Sequence, residues 1–429
     1  MTDENRRSFS AVCDLIRTLA PENAEGSDWL ELQKEAIIGH AGAVSRLMAV
    51  IRKVLDEESL SASFSWPAWY VSEEDAIYQE VWGRAGLAEW WRPPYDESGS
   101  AKIIGDNIFF QHQGKMRLMP QLIGEHRREQ LLRGFLLLTP GERLDRDFHE
   151  IYLADGVRLT VYKNAMTKKG QDVFIFRRYI IPEYSFAEQA RRGTIPAEAG
   201  TLFEAMVAVG YNVVFCGPVR SAKTTFLSTW QKHEDPLLEG VMIETDPEVP
   251  LHALMPGAPI VQLLADGEAL SRISKNLLRS DADYFIFAEA RDGIALDAAF
   301  RMARKGRGRM KMTFHTNDPY RFAEDAALEV VRRCGGDMRD AELRAASSFD
   351  YIFHMSPAGN EDRKVLQGIY ELGVRKGRIY YEEICAFAAA TGNWRWSSGI
   401  SQEKIKMGMA ASPEAFGIFY KELVRLANN

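Results

Sequence analysis

Nine consecutive residues hold the densest chemistry in this chain: Gly217, Pro218, Val219, Arg220, Ser221, Ala222, Lys223, Thr224 and Thr225. They follow the pattern G-x-x-x-x-A-K-T, a glycine-started loop that ends on a lysine and a hydroxyl residue. Such a loop, entered from a strand and left through a helix, turns its backbone N–H groups toward one centre and makes a nest for phosphate. In that arrangement Lys223 reaches the terminal phosphates of a nucleotide, ATP being the expected one, and the Thr224 hydroxyl sits on Mg²⁺. The rival reading is a chance turn, because the common pattern has glycine where Ala222 stands. A methyl group there crowds the approach of backbone to phosphate; with a negative φ alanine fits with little strain.

Three further segments bring polar side chains to the ends of short apolar runs. Tyr284 to Phe287 leads through Ala288 to Glu289 and Arg291. An acid in that place can orient Mg²⁺ or its water; the plainer alternative is a solvated strand end. Val241 to Ile243 leads to Glu244, Thr245, Asp246 and Glu248. A carboxylate there can polarise an attacking water, whereas Asp-Pro by itself reads as a turn. Lys311 to Phe314 leads to His315, whose ring can hydrogen-bond a γ-phosphate, although a lone histidine is more often structural.

The elements that must carry these residues read as strand–loop–helix units. Asn212 to Cys216 is a buried strand, followed by the loop and a helix from about Lys223. With the runs at 241–243, 284–287 and 311–314 and helical patterns between them, this alternation predicts βαβ units and a mainly parallel sheet. Ahead of it, Ile103–Ile104, 107–110, 157–161 and 173–176 read as short strands, interrupted by a helix around Glu125–Leu138, which predicts a small α+β domain. To about Leu60 the pattern is helical, with Ala43, Leu47, Ile51 and Val54 at helical spacing. Pro93 to Ser100 reads as a linker, and Pro413 to Leu426 as a final helix.

Composition excludes several classes. A chain of 429 residues exceeds a single core, and 46% hydrophobic with 26% charged residues is an ordinary globular balance. The net charge of −7 argues against a protein that coats nucleic acid. Cys13, Cys216, Cys334 and Cys385 form no C-x-x-C pair, so neither a zinc ribbon nor a disulfide framework is indicated. The run Phe135–Leu138 is far shorter than the ~20 residues of a membrane span, and residues 1–10 show no apolar secretory segment. A cytosolic protein with at most peripheral membrane contact is the expectation.

Taken in chain order, the four elements resemble the secretion ATPase superfamily, the motors of type II and type IV secretion and of type IV pili. They correspond to its Walker A, Asp box, Walker B and His box. The stretch Leu277–Gly293 resembles the family's "LR…D…GE.R" run, and Phe349–His354 the strand after its motor core. The likeness is closest to Tad/Flp-type pilus motors, in which a small domain ends on an Arg-Arg pair; Arg177 and Arg178 stand in that place. The resemblance implies a RecA-like P-loop motor domain at 196–385, preceded by a small α+β domain at 101–190 and a helical region at 1–95, and followed by a helical tail at 386–429. It implies ATP and Mg²⁺ as ligands and phosphate and Mg²⁺ contacts from Lys223 and Thr224. Glu289 becomes the Walker B acid, Glu244 the water-activating base and His315 the His-box residue, while Arg177 and Arg178 contact nucleotide between the domains. It also implies a homo-oligomer, a hexamer in this family, working on a membrane platform protein from the cytoplasmic face. The departures are Ala222, Thr245 and Ala288, each at a position where the family favours another residue, and they point to slow turnover or to a nucleotide-binding structural subunit. The basic stretch Arg301, Arg304, Lys305, Arg307, Arg309 and Lys311 is a further departure. It reads as a helix C-terminus favoured by the dipole or a face toward a neighbouring subunit, ahead of a DNA-translocating surface.

Overall fold

The computed structural model describes residues 8–23, 29–60, 64–113, 115–137, 143–153, 156–178, 183–245, 247–358 and 360–428. Asp246 and Leu138 therefore lie outside the described residues. The chain divides into two compact units, Met1–Ile180 and Ile181–Asn429.

The first unit opens with helices Phe9–Asn23, Trp29–Ile37, Ala41–Glu57 and Glu73–Val81. The third buries Ala43, Leu47, Ile51, Val54 and Leu55, the stripe that its spacing predicts. Six strands follow: β1 (Ser100–Ile104), β2 (Asn107–His112), β3 (Lys115–Leu122), β4 (Phe148–Tyr152), β5 (Arg158–Tyr162) and β6 (Val173–Arg177). They pair antiparallel throughout, in the order β3-β2-β1-β6-β5-β4. One face is apolar: Ala101, Ile103, Phe174 and Phe176 pack with Leu131, Leu132 and Phe135 of the helix Glu125–Leu136. Edge strand β3 escapes the sequence pattern because it contains Pro120 and leaves Leu118 and Leu122 exposed, as an edge permits. The expected linker, Pro93 to Ser100, is instead built into the unit. The Tyr95 ring lies 5.0 Å from Phe110, and Arg92 forks onto both oxygens of Asp75 at 2.6 and 2.7 Å.

The second unit carries nine strands: β7 (Val213–Cys216), β8 (Gly240–Glu244), β9 (Ile260–Leu264), β10 (Tyr284–Phe287), β11 (Lys311–Phe314), β12 (Tyr351–Ala358), β13 (Asn360–Arg375), β14 (Arg378–Ala388) and β15 (Asn393–Trp396). Their order is β15-β14-β13-β12-β7-β11-β10-β8-β9. The six from β12 to β9 run parallel, and β12 to β15 form an antiparallel extension. The sheet is thus mixed rather than mainly parallel throughout: β13 and β14 form a long hairpin on the edge of its parallel part, and β14 and β15 reach into the stretch 386–396 expected to be helical. Central strands β7, β10 and β11 are buried along their whole length, which is why they read as continuous apolar runs. Helices close both faces. Phe226, Leu227 and Trp230 pack with Phe215 and Phe353 on one side; Leu296, Ala299, Phe300 and Phe322 pack with Val214 and Met312 on the other. The final helix Pro413–Ala427 joins the first of these cores through Phe416, Phe419, Leu423 and Leu426. No helix among the described residues is long and apolar enough to cross a membrane.

Candidate functional site

β7 ends at Cys216 and the chain turns at Gly217, whose φ is +147. A Cβ there would lie 1.9 Å from the Met355 carbonyl oxygen, so only glycine fits. The loop passes half-buried Pro218, exposed Val219 and exposed Arg220 (φ +64) to the fully buried Ser221. It then reaches Ala222, which directly precedes the helix Lys223–Lys232. Ala222 has φ +68 and ψ +26, the left-handed region. The condition under which alanine fits with little strain is therefore not met: the loop places a left-handed residue before the helix, and Cβ strains it by about 1–2 kcal/mol.

The Lys223 side chain is 6% exposed and turns back into the loop. Its Nζ donates to Gly217 O at 3.1 Å and Pro218 O at 2.7 Å, and lies 3.5 Å from Ser221 Oγ and 3.4 Å from His315 Nδ1. Among the described residues no carboxylate forms an ion pair with it. Burial pushes the ammonium down to about 8, against smaller upward pulls from Cys216, Glu289 and Glu248. A buried cation on neutral carbonyls and an imidazole is a donor set that a phosphate would complete. Thr224 is half-buried in the first turn of the helix, and Thr225 is buried. The residues fit a nucleotide with Mg²⁺: the loop and Lys223 would hold phosphate, and Thr224 and Glu289 would hold the ion or its waters. Among the described residues no cluster of three or more metal-ligating side chains occurs.

His315 follows β11, and β11 lies between β7 and β10. Its ring spans the gap: Nδ1 faces Lys223, and Nε2 is 3.2 Å from Glu289 Oε1. One tautomer, protonated on Nε2, satisfies both contacts. Burial pushes the Glu289 carboxyl up, but hydrogen bonds and charge from His315 and Arg291 outweigh it and hold the group below its ordinary range.

Glu244, the last residue of β8, is buried, and its Oε1 accepts from the N–H groups of Glu248 at 3.1 Å and Val249 at 3.0 Å. It shapes its own turn. Glu244 and Glu289 also line one cleft of about 200 Å³, together with Thr245, Asp266, Arg291 and Asp292. The structure thus gathers the loop, Glu289 and His315 tightly and puts Glu244 on the wall of the adjoining cleft. Arg291 is the functional candidate that the sequence reading left without a role; the spacing Glu-x-Arg after an apolar strand was its signal.

The remaining candidates are placed differently. Arg178 belongs to the first unit, where it donates to the carbonyls of Ser98, Trp90 and Tyr95 at 2.9, 2.8 and 2.5 Å and lies 4.0 Å over the Trp90 ring. Arg177 is exposed at the end of β6. Four of the six cations of the basic stretch are used within the chain. Arg301 pairs with Asp297 and Arg307 with Asp283, while Arg309 and the buried Lys311 both bind Glu234. Arg304 and Lys305 are exposed in the last turn of the helix Gly293–Lys305, where the dipole favours them.

No family model matches the sequence, and no curated protein matches it. Solved structures do. The VirB11 ATPase of the Brucella suis type IV secretion system, in complex with sulphate, is 17% identical with a TM-score of 0.36, over 66% of this chain and 92% of that one. The pilus retraction motor PilT with bound ADP is 13% identical with a TM-score of 0.43, over 75% and 85%. The Yersinia pseudotuberculosis ATPase DotB is 14% identical with a TM-score of 0.46, over 85% and 88%. The second unit is an α/β fold with helices on both faces of its mixed sheet.

Proposed function

We propose that this chain is a P-loop motor ATPase that binds ATP with Mg²⁺ at Gly217–Thr225 and hydrolyses it. The observation that carries the reading is the convergence of three strand ends. Lys223, His315 and Glu289 follow β7, β11 and β10, which are neighbours in the sheet, and form one hydrogen-bonded chain around the loop. That is where ligands bind in an open parallel sheet. In this proposal Lys223 and the loop hold the phosphates, Thr224 and Glu289 serve the ion, and His315 senses the γ-phosphate. Glu244 is the base that activates water across the cleft. The resemblance of the four motifs extends the proposal to a ring-forming motor of the Tad/Flp pilus or secretion type, acting at the cytoplasmic face of a membrane on a platform protein.

The test is Mg²⁺-dependent ATP hydrolysis by the purified chain. Lys223→Ala and Glu289→Gln should each lower turnover by at least about 10²-fold. Equal activity in wild type and Lys223→Ala would refute the assignment. A second reading has its own observation: strained Ala222 at the mouth of the helix favours a nucleotide-binding subunit with little turnover. Nucleotide binding without multiple turnover would select it.

A further inference from the structure

Glu289 and Arg291 lie two residues apart on the short segment between β10 and the helix Gly293–Lys305. The segment is fixed at its far end by Asp292, which is extended (φ −119, ψ 165) and caps that helix by accepting from Ala295 N at 2.8 Å. Within the segment the Nε of Arg291 meets Oε1 of Glu289 at 2.5 Å. His315 Nε2 reaches the same oxygen at 3.2 Å from a different strand. Two donors on separate elements thus fix one carboxylate oxygen from two directions.

We propose that Arg291 is a positioning residue for Glu289: with His315 it clamps Oε1, so that Oε2 is the oxygen presented to the ion and its water. The proposal rests on the nucleotide-site reading above. A glutamate has three rotatable bonds, and a group acting on a reacting water must be held to within roughly 0.5 Å. Charge-assisted bonds to guanidinium supply that restraint. The Arg291 side chain is 47% exposed, whereas that of Glu289 is 13% exposed. An exposed arginine paired in this way adds little to folding stability, so its geometry serves the acid more than the fold. Lysine can keep the charge but has no guanidinium fork to fix direction.

The experiment compares wild type, Arg291→Ala and Arg291→Lys for steady-state ATP hydrolysis, equilibrium binding of a fluorescent ATP analogue, and thermal midpoint. For Arg291→Ala the expected result is a kcat lowered about 10- to 100-fold, the scale for groups that orient a ligand, with KM and analogue affinity within about twofold of wild type. Arg291→Lys should recover part of kcat, which a merely structural role would not produce, and both midpoints should stay near wild type. An Arg291→Ala enzyme as fast as wild type or faster overturns the proposal, as does a raised KM with unchanged kcat, which would make Arg291 a nucleotide contact. If Arg291→Ala does not fold, Arg291→Lys with full kcat overturns it equally. A wild type that binds the analogue without turnover also overturns it, whereas a wild type that binds no nucleotide refutes the site reading itself.

Discussion

Replacing Ala222 by glycine should stabilise this protein, although a side chain is removed beside a helix. At φ +68 and ψ +26 the alanine Cβ crowds the following carbonyl, which strains an L-residue by about 1–2 kcal/mol. Glycine removes that strain but loses more backbone entropy on folding, about 0.5–1 kcal/mol. From the middle of each range, Ala222→Gly is more stable by roughly 0.5–1 kcal/mol. For a unit of this size that is a rise of about 1–4 °C in thermal midpoint, or a higher urea midpoint at unchanged slope. Ala288 is the internal control. It also stands where the resembled family has glycine, but it is buried in the core and is not among the residues at positive φ. Ala288→Gly should therefore lower the midpoint, because the entropy term and the loss of a buried methyl group act in the same direction. Nucleotide affinity of Ala222→Gly should stay close to wild type, since the strain is present in the folded loop before binding and its relief is shared by the free and bound states. An Ala222→Gly protein no more stable than wild type, or the same sign at both positions, would refute the reasoning.

Two further outcomes follow from the electrostatics. Burial pushes the folded Lys223 ammonium down to about 8 from the ordinary 10.5. Between those values the folded state binds fewer protons than the unfolded one, so this group's contribution to stability rises with pH across that window. Phosphate restores the ammonium, so binding takes up a proton above pH 8. Affinity for ATP should be level to about pH 7.5 and then fall by up to about tenfold per pH unit. Isothermal titration from pH 6.5 to 9.5 checks it, and a flat profile counts against Lys223 as the phosphate ligand. In the core, Glu234 and Lys311 are each 1% exposed and 2.6 Å apart, with Arg309 on the other carboxylate oxygen. Glu234→Ala leaves two cations without their carboxylate and should destabilise by about 3–5 kcal/mol. Urea denaturation measures it, and a loss under 1 kcal/mol would show that the pair is replaceable.

Much of the site was legible because strand ends announce themselves. An apolar run of four or five residues that is buried on both faces has one reading, and the polar residue after it must lie at the sheet's edge. Gly217–Thr225, Glu289 and His315 were found in this way, and Glu244 with them. The backbone angle of Ala222 was not legible, because alanine is identified by its side chain and the strain belongs to the loop closing around it. The pairing of four basic residues with Asp297, Asp283 and Glu234 was hidden for a related reason: the Asp283 and Glu234 partners come from other segments, brought close only by folding.

The sequence by itself determined the residue types at hand: a glycine-started loop ending on lysine and threonine, two strand-end acids and a strand-end imidazole. Tertiary structure decided which of them act together. In the chain, Glu289 comes before His315; in the sheet, β11 is inserted between β7 and β10. The histidine therefore stands between the lysine and the acid and hydrogen-bonds both. Strand order follows from how helices pack across a parallel sheet, through contacts far apart in sequence, and no local pattern contains it.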